Sequence, residues 1–257
     1  MLELVSSYSF SNVPYIEYDA LDAYATAIVG DYCPENLLAP APLDIEVMLE
    51  FYLHLNVEYR QLGYERTVLG LTAFSSGFVQ VIDEQTGKPE PFFVKSGTVI
   101  IENSLLEKRN MTRLRFTLGH EASHWILHKK AFSAENPFFS NAEYENQYLA
   151  AKEGRIDYSR KQQERTDSER MERQADFFAA ALLMPRPTLR MAFVEFFSYY
   201  KEKPRRIIRG KTQLDDNYAK LLPRYIAKEF KVSEQAAQIR LEKLSAIVDN
   251  RKRGYFA

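Results

Sequence analysis

The residues best suited to chemistry are His120-Glu121-Ala122-Ser123-His124, an H-E-x-x-H run within Leu114 to His128. Residues four apart on an α-helix share a face about one turn apart, so two imidazoles at this spacing can grip one metal ion. The glutamate beside the first histidine is then placed to take a proton from a water on that metal, as in metal-assisted hydrolysis. Such a site needs a third protein ligand and an open position. Glu172-Arg173-Gln174-Ala175-Asp176 supplies two carboxylates four residues apart, again on one helical face. One can bind the metal while the other accepts the free N–H of a ligating histidine, fixing its tautomer and ring orientation. The plainer alternative is an acidic pair solvated near a helix N-terminus. Against it, the run from Phe177 to Met184 is so apolar that this helix must be largely buried.

Two helices must position these groups. Leu114, Leu118, Ala122, Trp125 and Ile126 recur at three- and four-residue steps without a proline, and predict a helix starting near Thr112. Lys129-Lys130 suits its negative end. Thr166 to Glu169 reads as a capping box for the second helix, with Asp167 or Ser168 as other caps, and Pro185 with Pro187 ends it. His128 extends the histidine series, but eight helical residues span about 12 Å while zinc–nitrogen bonds are about 2 Å. It is therefore expected to cap or pack at the helix end. His54, in Phe51 to Leu55, reads as a partly buried histidine on a helix with no chemistry.

H-E-A-S-H-W-I-L-H followed by E-x-x-A-D-x-F-A-x-x-L-L-M-P resembles the ImmA/IrrE family of zinc-dependent metallo-endopeptidases, whose zinc site is similar to that of thermolysin-type enzymes. The resemblance spans roughly residues 40 to 250. It implies Zn2+ as cofactor, His120, His124 and Glu172 as zinc ligands, Glu121 as general base, and Asp176 as hydrogen-bond partner of a zinc histidine. The stretch between His128 and Glu172 is longer than the family's, which leaves Glu169 and Asp176 as competitors. The register with Ala175 and Phe178 favours Glu172. The resemblance further implies a protein substrate, a helix–turn–helix transcriptional repressor cut at one site.

At 257 residues, with 46% hydrophobic and 27% charged residues, the chain can bury one good core, with room for a small second module. A net charge of −1 gives no global field toward nucleic acid or anionic lipid. The single cysteine, Cys33, excludes an internal disulfide. The first ten residues lack a signal-peptide pattern, and no run approaches the ~18 to 20 apolar residues of a membrane span. A cytoplasmic protein, without membrane attachment, is the expectation.

Along the chain, Tyr18 to Val29 reads as a helix ended by Gly30 and Pro34, and Asp44 opens another through Leu55. Val57–Arg60, Val68–Phe74, Phe78–Ile82, Pro91–Lys95 and Thr98–Ile101 read as short antiparallel strands punctuated by Gly63, Gly77, Gly87 and Gly97. An edge strand near Gly97 to Ile101, beside the metal-binding helix, would receive substrate by strand pairing. Residues 129–166 form a polar insertion with a short helix around Glu143 to Lys152, and Lys201 to Lys211 is a solvated basic loop. Tyr218 to Val248 resembles a helix–turn–helix capped by Ser233, with a core of Ala227, Phe230, Val232, Ala236, Ile239 and Leu244. Gln235, Gln238, Arg240 and Lys243 beside Glu234 and Glu242 are a weak set for reading bases, so direct DNA binding is not expected. The expected fold class is α+β. A small antiparallel sheet packs on a zinc-binding helical core, with a C-terminal helix–turn–helix-like subdomain. The expected domains are an N-terminal helical segment at 1–40, a peptidase core at 41–200 and the C-terminal helices at 201–257. The rival reading is a non-proteolytic regulator that binds DNA or a partner through its last helices, with a structural zinc.

Overall fold

Helix α1 spans Tyr18–Tyr32 in the computed structural model, which describes Val13, residues 15–132, the strand at 148–152 and residues 167–249. It runs through Gly30 and ends two residues before Pro34, because one glycine costs a helix only about 1 kcal/mol and Cys33 N–H still bonds the Val29 carbonyl. Helix α2, Ile45–Val47, starts on Asp44, whose carboxylate accepts from Val47 N–H, and widens into a π turn over Met48–Tyr52. Leu53 N–H bonds Met48 O and Leu55 N–H bonds Leu49 O, turning the chain toward the first strand. His54 is therefore not helical. It is exposed, in the left-handed region at φ 55°.

Strands β1 (Asn56–Arg60), β2 (Val68–Ala73), β3 (Gly77–Ile82), β4 (Pro89–Val94) and β5 (Thr98–Glu102) follow, with β6 at Tyr148–Lys152. The main sheet has the order β1-β5-β2-β6. It is mixed, since β1 pairs with β5 in parallel while β5–β2 and β2–β6 are antiparallel. All five residues of β5 are buried, as expected of a near-continuous apolar run with neighbours on both sides. The edge position expected for this strand is thus corrected: β5 is interior. The short helix expected near Glu143 to Lys152 is corrected over Tyr148–Lys152, which extends the sheet along β2, while residues 143–147 lie outside the described residues. β3 and β4 form a separate hairpin. Its loop is held by the Asp83 carboxylate accepting from Gln85 and Thr86 N–H, with Gly87 at φ 65°.

Short 3₁₀ turns lead into α3, Met111–His128, which begins one residue before Thr112 and packs on β2, β5 and β6. Its residues from Thr117 to His124 are buried on every face. Helix α4, Asp167–Leu183, starts just after Thr166, which lies outside the described residues. Arg170 donates to the Val13 carbonyl at 3.1 Å. Tyr18 stacks on Phe177 with centroids 4.4 Å apart, and Tyr24 meets Phe178 at 5.6 Å. Val13, Tyr18 and Tyr24 thereby brace α4 at Arg170, Phe177 and Phe178.

The chain divides into two compact units, Met1–Tyr24 with Asp44–Ala179, and Ala25–Leu43 with Ala180–Ala257. The second holds α5 (Arg186–Tyr199), β7 (Ile207–Arg209), α6 (Gln213–Phe230), α7 (Glu234–Lys243) and β8 (Ile247–Asp249), which pairs with β7 in parallel. Leu189, Phe193, Phe196 and Phe197 are buried, as their spacing predicts. The basic run is only partly loop, since it contains β7. Helices α6 and α7 meet through Lys231 at φ 51°, and Ser233 caps α7 by accepting from Ala236 N–H at 3.1 Å. The buried face of α7 is Ala237, Arg240 and Leu241, one residue on from the expected Ala236, while Ile239 and Leu244 are only half-buried. Arg240 is 1% exposed, and its Nε and Nη2 donate to the Met184 carbonyl at 3.3 Å, so it offers nothing outward. No single helix among the described residues is long and apolar enough to cross a membrane.

Candidate metal centre

The i, i+4 spacing on α3 brings Nε2 of His120 and Nε2 of His124 within 2.9 Å of each other. Helix α4 supplies the third group: Glu172 Oε2 lies 3.3 Å from His120 Nε2, and Oε1 lies 3.5 Å from His124 Nε2. Ligands at about 2.0–2.1 Å from a tetrahedral ion stand about 3.3 Å apart. The three separations bracket that value. Among the described residues, His120, His124 and Glu172 are the group able to hold a metal ion. Both histidines are almost fully buried, whereas the Glu172 side chain is 24% exposed, so the centre is reached along α4.

Tautomers add to the fit. His120 Nδ1 is 3.0 Å from Asp176 Oδ1, and a carboxylate can only accept, so this nitrogen carries the proton. His124 Nδ1 faces Nδ1 of His128 at 3.1 Å. With protons on Nδ1 of His120 and Nδ1 of His124, two imidazole Nε2 lone pairs and a carboxylate converge, and positive charge must lie among them. In the metal-free protein a proton supplies it. Burial opposes charge on His120, but hydrogen bonds to the Asp176 and Glu172 carboxylates outweigh it and hold the imidazole up to about 10. Burial likewise opposes charge on Glu172, yet the two histidines hold its carboxyl well below the ordinary range. A divalent cation serves better than a proton, because it meets all three donors at once. The donor set therefore fits a metal ion.

Glu121 packs against β2. Its Oε2 accepts from the Thr72 hydroxyl at 2.6 Å, and Oε1 has no hydrogen-bond partner among the described residues. Burial pushes its carboxyl up to about 7, against the pull of His120 and the Thr72 hydrogen bond. An ideal Cβ on Gly70 would sit 2.5 Å from Glu121 Oε1, so only glycine leaves space for this carboxyl. A buried carboxyl near neutrality, with one oxygen that has no hydrogen-bond partner among the described residues, suits proton transfer beside a metal site.

The structure thus brings His120, His124, Glu172, Asp176 and Glu121 into one region. Glu169 makes none of these contacts. Sequence reasoning missed Gly70, Thr72 and Gln174, and it treated His128 as a helix-end residue. His128 is fully buried against His124 and Gln174, and burial pushes its imidazole down to about 3, which keeps it neutral. The histidine repeat at 120, 124 and 128 was the available signal, and nothing in the sequence marked the other three.

Residues 147–242 match the peptidase M78 family model, described as the IrrE N-terminal-like domain. The matched stretch includes Glu172 and Asp176 and ends within α7, while His120 to His124 precedes it. No curated protein matches the chain.

Proposed function

We propose that the chain is a zinc-dependent endopeptidase of the ImmA/IrrE type with Glu121 as its general base, a reading that the match over residues 147–242 supports. The observation that carries the reading is the convergence of two imidazoles and one carboxylate at tetrahedral-edge distances, with a buried carboxyl of raised pKa next to them. His120, His124 and Glu172 would hold the ion, which supplies a Lewis acid and brings the pKa of water toward neutrality. Asp176 orients His120 and raises its basicity as a ligand. Glu121 accepts the proton of the attacking water and delivers it to the departing amine. Thr72 keeps the carboxyl aimed.

The proposed substrate is a helix–turn–helix transcriptional repressor cut at one site, and the proposed setting is the cytoplasm. The resemblance to the ImmA/IrrE family supports the first, and the single cysteine supports the second. The rival reading, a regulator that uses α7 to bind DNA, is disfavoured by the burial of Arg240. The test is to incubate the zinc-loaded protein with candidate repressors and read the products by mass spectrometry. Wild type should give discrete fragments, and Glu121→Gln should bind metal normally but give none. Cleavage by Glu121→Gln at the wild-type rate would refute the assignment.

A further inference from the structure

His124 is fully buried, and it is held from two sides. Its Nε2 faces His120 and Glu172, while its Nδ1 faces Nδ1 of His128 at 3.1 Å. Nε2 of His128 in turn faces the side-chain oxygen of Gln174 at 3.0 Å. All three side chains are buried, so water does not substitute for any of these partners.

A hydrogen bond between two ring nitrogens needs one proton between them, neither two nor none. To ligate through Nε2, a neutral His124 must keep its only proton on Nδ1. That proton is donated to His128, whose Nδ1 must then carry the lone pair. The single proton of His128 is left on Nε2, where the Gln174 carbonyl oxygen accepts it. Each link leaves one arrangement. Turning the Gln174 amide over would aim N–H at His128 Nε2, shift the His128 proton to Nδ1 and set two N–H groups against each other.

We propose that His128 and Gln174 are positioning residues that lock His124 in its Nδ1–H tautomer and so keep its Nε2 lone pair available to a divalent cation. The inference rests on the metal-site reading above. It makes the two histidine ligands unequal. His120 leans on the carboxylate of Asp176, whereas His124 leans on an uncharged imidazole–amide chain. Orientation is fixed on both sides, but negative charge is added on only one.

Two measurements on the full chain test this. Affinity for Co2+ alone, followed by visible absorption, should fall about 10- to 100-fold in His128→Leu, the range typical for losing a partner of a metal ligand. His128→Asn, whose side-chain oxygen can stand in for Nδ1, should restore most of that affinity, and Gln174→Met should weaken binding by a smaller factor. Ring-nitrogen NMR shifts of the zinc-loaded wild type should report His128 as the Nε2–H tautomer. An Nδ1–H tautomer, or unchanged Co2+ affinity in His128→Leu, overturns the proposal. If His128→Leu does not fold, Gln174→Met and the wild-type spectrum decide. Wild-type protein that binds no Co2+ defeats the metal-site reading itself, and the relay with it. Binding by wild type that both variants match defeats the relay alone.

Discussion

Thr72 grips the carboxyl of Glu121 across 49 residues of sequence, its hydroxyl donating to Oε2 at 2.6 Å. Gly70, two residues earlier and so on the same face of β2, leaves the space that the rest of that carboxyl fills. Strand β2 is thus the floor on which the base of the proposed reaction rests.

Thr72→Val keeps the shape and removes the donor. The threonine bond favours the charged carboxylate, so losing it should raise a group that burial already pushes up to about 7. A hydrogen bond to a charged group is worth roughly 1.5–3 kcal/mol, which corresponds to about one pH unit or more. The acid limb of kcat/KM is therefore expected to move upward by about that much, with Co2+ affinity unchanged. An unmoved limb would separate Thr72 from the base.

Gly70→Ala places a methyl 2.5 Å from Oε1 and 2.9 Å from the carbons of the Glu121 side chain. The carboxyl must shift, and a displacement near 1 Å can cost about 10²-fold in rate. Peptide cleavage should drop by about that factor while the stoichiometry of bound zinc stays the same. Equal turnover numbers in the two proteins would show that the floor gives way.

Metal uptake should depend on pH with a definite sign. The metal-free His120 imidazole, ordinarily at 6.5, is opposed by burial but raised to about 10 by its carboxylate neighbours. A raised folded value stabilises the protein fully below about 6.5, and this is lost as pH rises toward 10. A cation taking Nε2 must displace that proton. The Tm of metal-free protein should thus fall across this window while the Tm gain on adding zinc grows. Calorimetry in buffers of different ionisation enthalpy should detect the released proton.

Ser233→Ala removes the cap that accepts from Ala236 N–H. The cost should be about 1 kcal/mol of stability, read by denaturant unfolding, with zinc affinity unaltered. A larger loss would mean that the Ser233 hydroxyl supports more than the first turn of α7.

The spacing of His120, His124, Glu172 and Asp176 was readable from sequence because helical periodicity alone puts each pair on one face. Strand positions were readable too, through β-branched runs between glycines. Pairing was not. Thr98 to Glu102 reads the same whether it lies at an edge or between neighbours, and only the fold reveals the parallel partner β1 and the late-arriving β6. Thr72 and Gln174 escaped for a related reason. A lone threonine or glutamine carries no period, and its partner lies 49 or 46 residues away. His54 misled because a helical pattern of apolar residues does not register a π turn and the left-handed residue beyond it.

Val13, Tyr18 and Tyr24 act as a splint. By clasping Arg170, Phe177 and Phe178, they steady a carboxylate that lies some 150 positions downstream, within the stretch where Glu172 and Asp176 reside. A protease nick or shortening near Tyr15 to Tyr24 would therefore be felt at the far end of the sequence, as looser grip on the ion rather than as damage to the histidines themselves.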